Sequence, residues 1–222
     1  AANLAAAFDG ITSFEGGLNL IDTGSILASD VIFISSLTSG ATTANATSHI
    51  TGSSAEIVSA IGAVSFSPDV TLAITGNDPA TVAELMTINA TTSGNVVLNA
   101  QTIATAYTDT AANLAAAFDG INTSTANLTI TADTPAATIA ELVAINAATS
   151  GNVVLNVATN TATYNDTAAN LIAAFTGTVT HTGPLLISDT DIVFAADLTL
   201  IDTFTSGQTM VMSALEISGS AA

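Results

Sequence analysis

Apolar residues return along this chain in two alternating rhythms. Short stretches place them three or four residues apart, the spacing of one helix face. Short runs rich in Val, Ile, Leu and Thr follow, the mark of strands. One helix type is Asn3-Leu4-Ala5-Ala6-Ala7-Phe8, with relatives at Glu56–Ile61, Asn113–Phe118 and Asn170–Phe175. Each pairs apolar side chains at i and i+4, and a glycine follows as the predicted stop: Gly10, Gly62, Gly120 and Gly177. A second type runs from an acid to Ser-Gly: Asp30 to Gly40, Glu84 to Gly94, Glu141 to Gly151 and Asp197 to Gly207. Leu85 with Ile88, and Leu142 with Ile145, give it an i, i+3 apolar pair.

Ser53-x-x-Glu56, Thr81-x-x-Glu84 and Thr138-x-x-Glu141 match the capping box, which satisfies free amides at a helix start. That spacing assigns Glu56, Glu84 and Glu141 to helix capping and not to catalysis. Predicted strands are Val64–Phe66, Val70–Thr75, Asn95–Asn99, Thr102–Tyr107, Asn127–Thr131, Asn152–Asn156, Thr161–Tyr164, Thr178–Thr182, Leu185–Ser188, Gln208–Met212 and Leu215–Ser218.

The leading apolar residue of each helix is Leu4, Val31, Ile57, Leu85, Leu114, Leu142, Leu171 and Leu198, at intervals of 26 to 29 residues. Residues 1–10 recur unchanged at 111–120, and 81–121 recur, slightly edited, at 138–179. The pattern predicts an α/β repeat protein. It would be a solenoid of eight units of about 28 residues, each helix-strand-strand, with mainly parallel stacked strands. The units start near residues 1, 28, 54, 81, 110, 138, 167 and 195 of one continuous array, 1–222.

Stacked strands lie about 4.8 Å apart, whereas helix axes need about 8–10 Å. Alternating the two helix types between opposite sides would reconcile these spacings, and that arrangement is expected. Ala195–Ser220 resembles Ala28–Ser53, and a helix of the first type follows Ser53. The register therefore predicts one period of a continuing array, joined covalently or head to tail, with uncapped ends. The predicted partner is another copy of the chain.

Composition narrows the possibilities. The chain has 222 residues with no Lys or Arg, 18 Asp and Glu, and a formal charge of -18. Nucleic acid and anionic membrane surfaces lose their usual basic contacts, so neither is an expected partner. Apolar residues make up 49%, enough for a core and too many for ordinary disorder. Cysteine is absent, which excludes disulfides and thiolate chemistry. No uninterrupted apolar run reaches the roughly 18 residues of a membrane span, and no leader-like segment opens the chain. Trypsin-like proteases find no cleavage site, which suits a long-lived extracellular material.

Candidate chemistry is sparse. Asp22, Asp78, Asp133 and Asp189 fall near the same turn of successive units. A column of them would attract cations, and Ca2+ takes oxygen ligands of this kind; turn formation by the aspartates themselves is the alternative. His49 and His181 have no Cys or His at ligand spacing. Asn45, Asn89, Asn122, Asn127 and Asn165 open glycosylation sequons, so glycans join divalent cations as candidate partners. Thr129-Ile-Thr131 and Thr178–Thr182 read as strand filler. Neither a nucleophile elbow nor a phosphate-binding glycine loop occurs, and no enzyme activity is expected.

Thr81–Leu98 (TVAELMTINATTSGNVVL) and Thr138–Leu155 (TIAELVAINAATSGNVVL) resemble repeats of giant secreted surface proteins of marine cyanobacteria and other bacteria. The resemblance implies an extracellular or cell-surface location, sometimes with adhesion, motility or calcium. The chain departs from those repeats in lacking helix lysines and glycine-rich calcium nonapeptides. The expected function is a structural protein stacked end to end into an extracellular filament, sheath or surface array. The rival expectation is the stalk of a large cell-surface adhesin, stiffened by calcium.

Overall fold

The computed structural model describes residues 2–8, 11, 14–121, 123–131, 135–214 and 216–220. The chain divides into two compact units, Ala1–Ile103 and Ala104–Ala222.

In the first unit the order is α1 (Ala2–Ala7), β1 (Leu18–Asn19), β2 (Ser25–Leu27), α2 (Ala28–Ser35), β3 (Thr42–Ala44), β4 (His49–Gly52), α3 (Ser54–Ala63), β5 (Ser65–Phe66), β6 (Thr71–Ile74), α4 (Val82–Thr91) and β7 (Val96–Val97). A short helix, α5 (Ala100–Ala104), ends it. Strands pair in parallel from module to module, in the orders β1-β3-β5 and β2-β4-β6-β7. Ile26, Ile50 and Leu72 face one another across the second sheet. The helices pack in chain order, α1 on α2, α2 on α3 and α3 on α4. Val31, Ile34, Ile57, Leu85 and Ile88 are fully buried between these layers. Each such side chain contributes about 1.5–3 kcal/mol by leaving water.

The second unit follows the same plan. Its order is β8 (Tyr107–Asp109), α6 (Ala111–Phe118), β9 (Leu128–Ile130), α7 (Ile139–Ala148), β10 (Val153–Val154), α8 (Val157–Thr161), β11 (Tyr164–Asp166), α9 (Ala168–Phe175), β12 (Leu185–Ile187), β13 (Ile192–Phe194), α10 (Ala195–Phe204), β14 (Thr209–Val211) and β15 (Glu216–Ser218). Its sheets, β8-β9-β10, β11-β12-β14 and β13-β15, are all parallel. Here α6 packs on α7, α7 on α9 and α9 on α10. Tyr107 meets Phe118 edge-on at 5.4 Å, and Tyr164 meets Phe175 in the same way at 5.4 Å.

The α/β class and the parallel strands agree with the pattern. A single continuous strand ladder does not form: the described strands fall into five small sheets of two to four strands. These strands are only two to four residues long, and turns or short helices interrupt them. So few ladder bonds cannot carry one sheet through every module.

Placement of the two helix types on opposite sides is also corrected. Consecutive helices of different type pack directly, as α2 does on α3 and α7 on α9. Small buried residues on these helices, Ala28, Ala60, Ala148 and Ala174, permit that approach. Thr102–Ala104 and Thr161 are helical instead of extended. The Asn99 and Asn156 side chains cap those short helices, accepting from Thr102 N at 2.8 Å and Thr159 N at 2.7 Å.

Gly62 lies inside α3 and not after it. Gly120 and Gly177 do end their helices, at φ of 69° and 81°. Gly10 and Leu215 lie outside the described residues. Among the described residues no helix is long and apolar enough to cross a membrane.

Candidate functional site

The most repeated polar arrangement is a staple at each Thr-Ser-Gly. Thr38 Oγ1 donates to Gly16 O at 2.6 Å and accepts from Gly40 N at 2.9 Å. Thr149 Oγ1 donates to Ala126 O at 2.6 Å and accepts from Gly151 N at 2.9 Å. Thr205 Oγ1 does the same with Gly183 O at 2.7 Å and Gly207 N at 2.8 Å. Thr92 repeats the pattern with Val70 O and Gly94 N.

The serine amides of the same motifs donate to carbonyls of the preceding module: Ser39 to Phe14, Ser93 to Pro68, Ser150 to Ser124 and Ser206 to His181. The glycine is required by space. A Cβ on Gly40 would lie 2.7 Å from Gly16 O, and one on Gly207 would lie 2.5 Å from Gly183 O. Each motif thus ties its module to the one before through neutral groups. In a chain without Lys or Arg, this replaces ion pairing. The expected Ser-Gly endings marked the place, but the threonine one residue earlier carries the bond. Its recurrence at all four sites was the available signal.

The capping acids sit where their spacing predicts. Ser53, Thr81 and Thr138 form complete capping boxes with Glu56, Glu84 and Glu141. The backbone amide of Ser53, and then its hydroxyl, hold the Glu56 carboxyl below its ordinary value. Burial raises the Glu84 carboxyl, but the Thr81 amide and hydroxyl outweigh it and leave a net lowering.

The four turn aspartates have different surroundings. Asp189 Oδ2 accepts from Ala168 N at 2.7 Å, so a later module caps the start of α9. Asp22 and Asp78 each lend a backbone carbonyl, to Thr47 Oγ1 at 3.1 Å and to Asn99 Nδ2 at 2.9 Å. Asp133 lies outside the described residues. Among the described residues, no three His, Cys, Asp or Glu side chains gather in a group that could hold a metal.

His49 is exposed on β4. His181 is fully buried, with ring centroids 4.9 Å from Phe175 and 5.5 Å from Tyr164. Among the described residues neither ring nitrogen makes a hydrogen bond of good geometry, although the Ala162 carbonyl faces the ring. Burial pushes its pKa below the ordinary 6.5, with the Ala162 carbonyl opposing. Burial likewise raises the Tyr164 hydroxyl to about 12; that hydroxyl donates to Ala137 O at 2.8 Å. Of the sequon asparagines, Asn45, Asn127 and Asn165 are exposed and Asn122 lies outside the described residues.

The eight leading apolar positions separate into two groups. Val31, Ile57, Leu85, Leu114, Leu142 and Leu171 are 0% exposed. Leu4 and Leu198, on the first and last helices, are only half-buried. Each borders a groove. One, of about 320 Å³, is lined by Asn3, Leu4, Asn19, Leu20, Ile21 and Asp22. The other, of about 350 Å³, is lined by Leu198, Thr199, Asp202, Thr209 and Val211. Neither brings together a nucleophile, a base and an oxyanion donor. Comparison of the chain with protein-family models, with curated proteins and with solved structures gave no match.

Proposed function

We propose that this chain is a structural protein that stacks end to end into an extracellular filament, sheath or surface array at a bacterial cell surface. Its modules act as coils of a solenoid, each covering the apolar face of the one before. One observation carries this reading: six register positions are fully buried, while their equivalents Leu4 and Leu198 keep exposed surface. The first and last strands add to it. Among the described residues β1, β2, β14 and β15 are edge strands, as are β5, β7, β8, β10, β11 and β13 inside the chain, and an open edge is a template for another chain.

A contact between two different surfaces on each copy propagates into a filament when its rotation does not close a ring. The absence of Lys and Arg supports the extracellular assignment through resistance to trypsin-like proteases. Electron microscopy of the purified chain tests the proposal: long unbranched particles of uniform width are expected. Discrete particles at every concentration and salt would overturn it. Recovery of the chain only as a segment of a much larger polypeptide would favour the adhesin stalk.

A further inference from the structure

We infer that the copies join through the same kind of junction that α2 makes with α3 and α7 with α9, with α10, β14 and β15 of one copy receiving α1, β1 and β2 of the next. The inference rests on the filament reading and specifies its interface.

Ala28–Ser53 and Ala195–Ser220 align without a gap and have matching elements. Gly52 sits against the Ala28 Cβ, and Gly219 sits against the Ala195 Cβ. Their surroundings differ on one side. Ala44 and Ile50 are 0% exposed, because β5 and β6 follow alongside. At the matching places Val211 is half-buried and Ile217 is 57% exposed. The module that covers Ala44 and Ile50 begins with α3, a helix of the first type. The occupant implied for the trailing face is therefore another module of that type, and α1 opens one.

The leading face gives the complementary result. Residues 1–10 and 111–120 are identical. Yet Leu114, Ala117 and Phe118 are buried, while Leu4 and Phe8 are half-buried and Ala7 is exposed. The same side chains bury once a preceding strand is present, as Tyr107 of β8 is for Phe118. The grooves bordered by Leu4 and Leu198 are the two halves of this one seam.

One polar position differs between the junctions inside the chain and the proposed one. On α2, Ser35 Oγ donates across to Ala63 O of α3 at 3.2 Å. On α7, Asn146 Nδ2 donates across to Ala173 O of α9 at 2.7 Å. The matching position on α10 is Asp202, exposed in the trailing groove. An ionised carboxylate has no proton to donate and faces carbonyls badly. The junction between copies thus lacks the cross-helix hydrogen bond that Ser35 and Asn146 make inside the chain.

Three variants test this by light scattering and sedimentation. Ile217→Asp spoils the trailing face and Ile21→Asp the leading face; both residues are exposed, at 57% and 76%. Each alone is expected to stay a single chain. Mixed together they are expected to form pairs and stop, since one good face remains on each. Asp202→Asn restores the donor and is expected to lower the concentration needed for assembly about fivefold.

If wild type assembles and the two aspartate variants do so equally well, the junction is wrong and the filament reading stands. An Asp202→Asn chain that assembles no more readily than wild type also overturns it. Wild type that never associates overturns both.

Discussion

Thr38, Thr92, Thr149 and Thr205 each tie one module to the one before with a single hydroxyl. Replacing Thr149 by valine keeps the shape but leaves Gly151 N and Ala126 O without their bonds. A loss of about 1–3 kcal/mol is expected in urea unfolding followed by circular dichroism. Gly151→Ala, which drives a Cβ into the Ala126 carbonyl, should cost a comparable or larger amount. His181 acts in the other direction. Folding lowers its pKa, so stability holds above the ordinary 6.5 and falls as pH drops below it. The lowered carboxyls Glu56 and Glu84 keep their contribution until pH falls below their ordinary 4.5. His181→Leu should therefore abolish the loss in the upper window and leave the lower one unchanged, read from thermal midpoints across pH.

Elements whose signals are local were the legible ones. The capping boxes at Ser53, Thr81 and Thr138 span four residues, and all three form. Thr138→Ala should cost about 1 kcal/mol, measured by the shift in urea midpoint. By contrast, β2 and β13 run straight into α2 and α10 through Leu27 and Phe194, with no side-chain cap to punctuate the boundary. Nothing in the sequence separates strand from helix there, and both strands went unpredicted. Asn99 and Asn156 close predicted strands, yet their side chains cap α5 and α8. The cap outweighs the strand propensity of Thr102, Ile103 and Thr161. Which side a helix takes was not legible at all, since it depends on what lies across from Ala60 and Ala148 in space.

At the scale of the molecule, the register was visible and its consequence was not. Leu4 and Leu198 look like their six relatives in the sequence; only the fold separates them by what fails to cover them. The candidate aspartate column was legible as a pattern, yet Asp189 turns to a helix amide while Asp22 and Asp78 lend carbonyls. Charge should then govern the proposed association. Each copy carries -18 with no positive side chain, and Asp22 and Asp202 line the two grooves of the proposed junction. Screening shortens that repulsion to about 10 Å at moderate salt, so assembly should strengthen as ionic strength rises. Sedimentation velocity of the purified chain over rising concentration and salt reads this directly. The account predicts a distribution that grows without plateau, faster at high salt; one boundary at 21.9 kDa under every condition would contradict it.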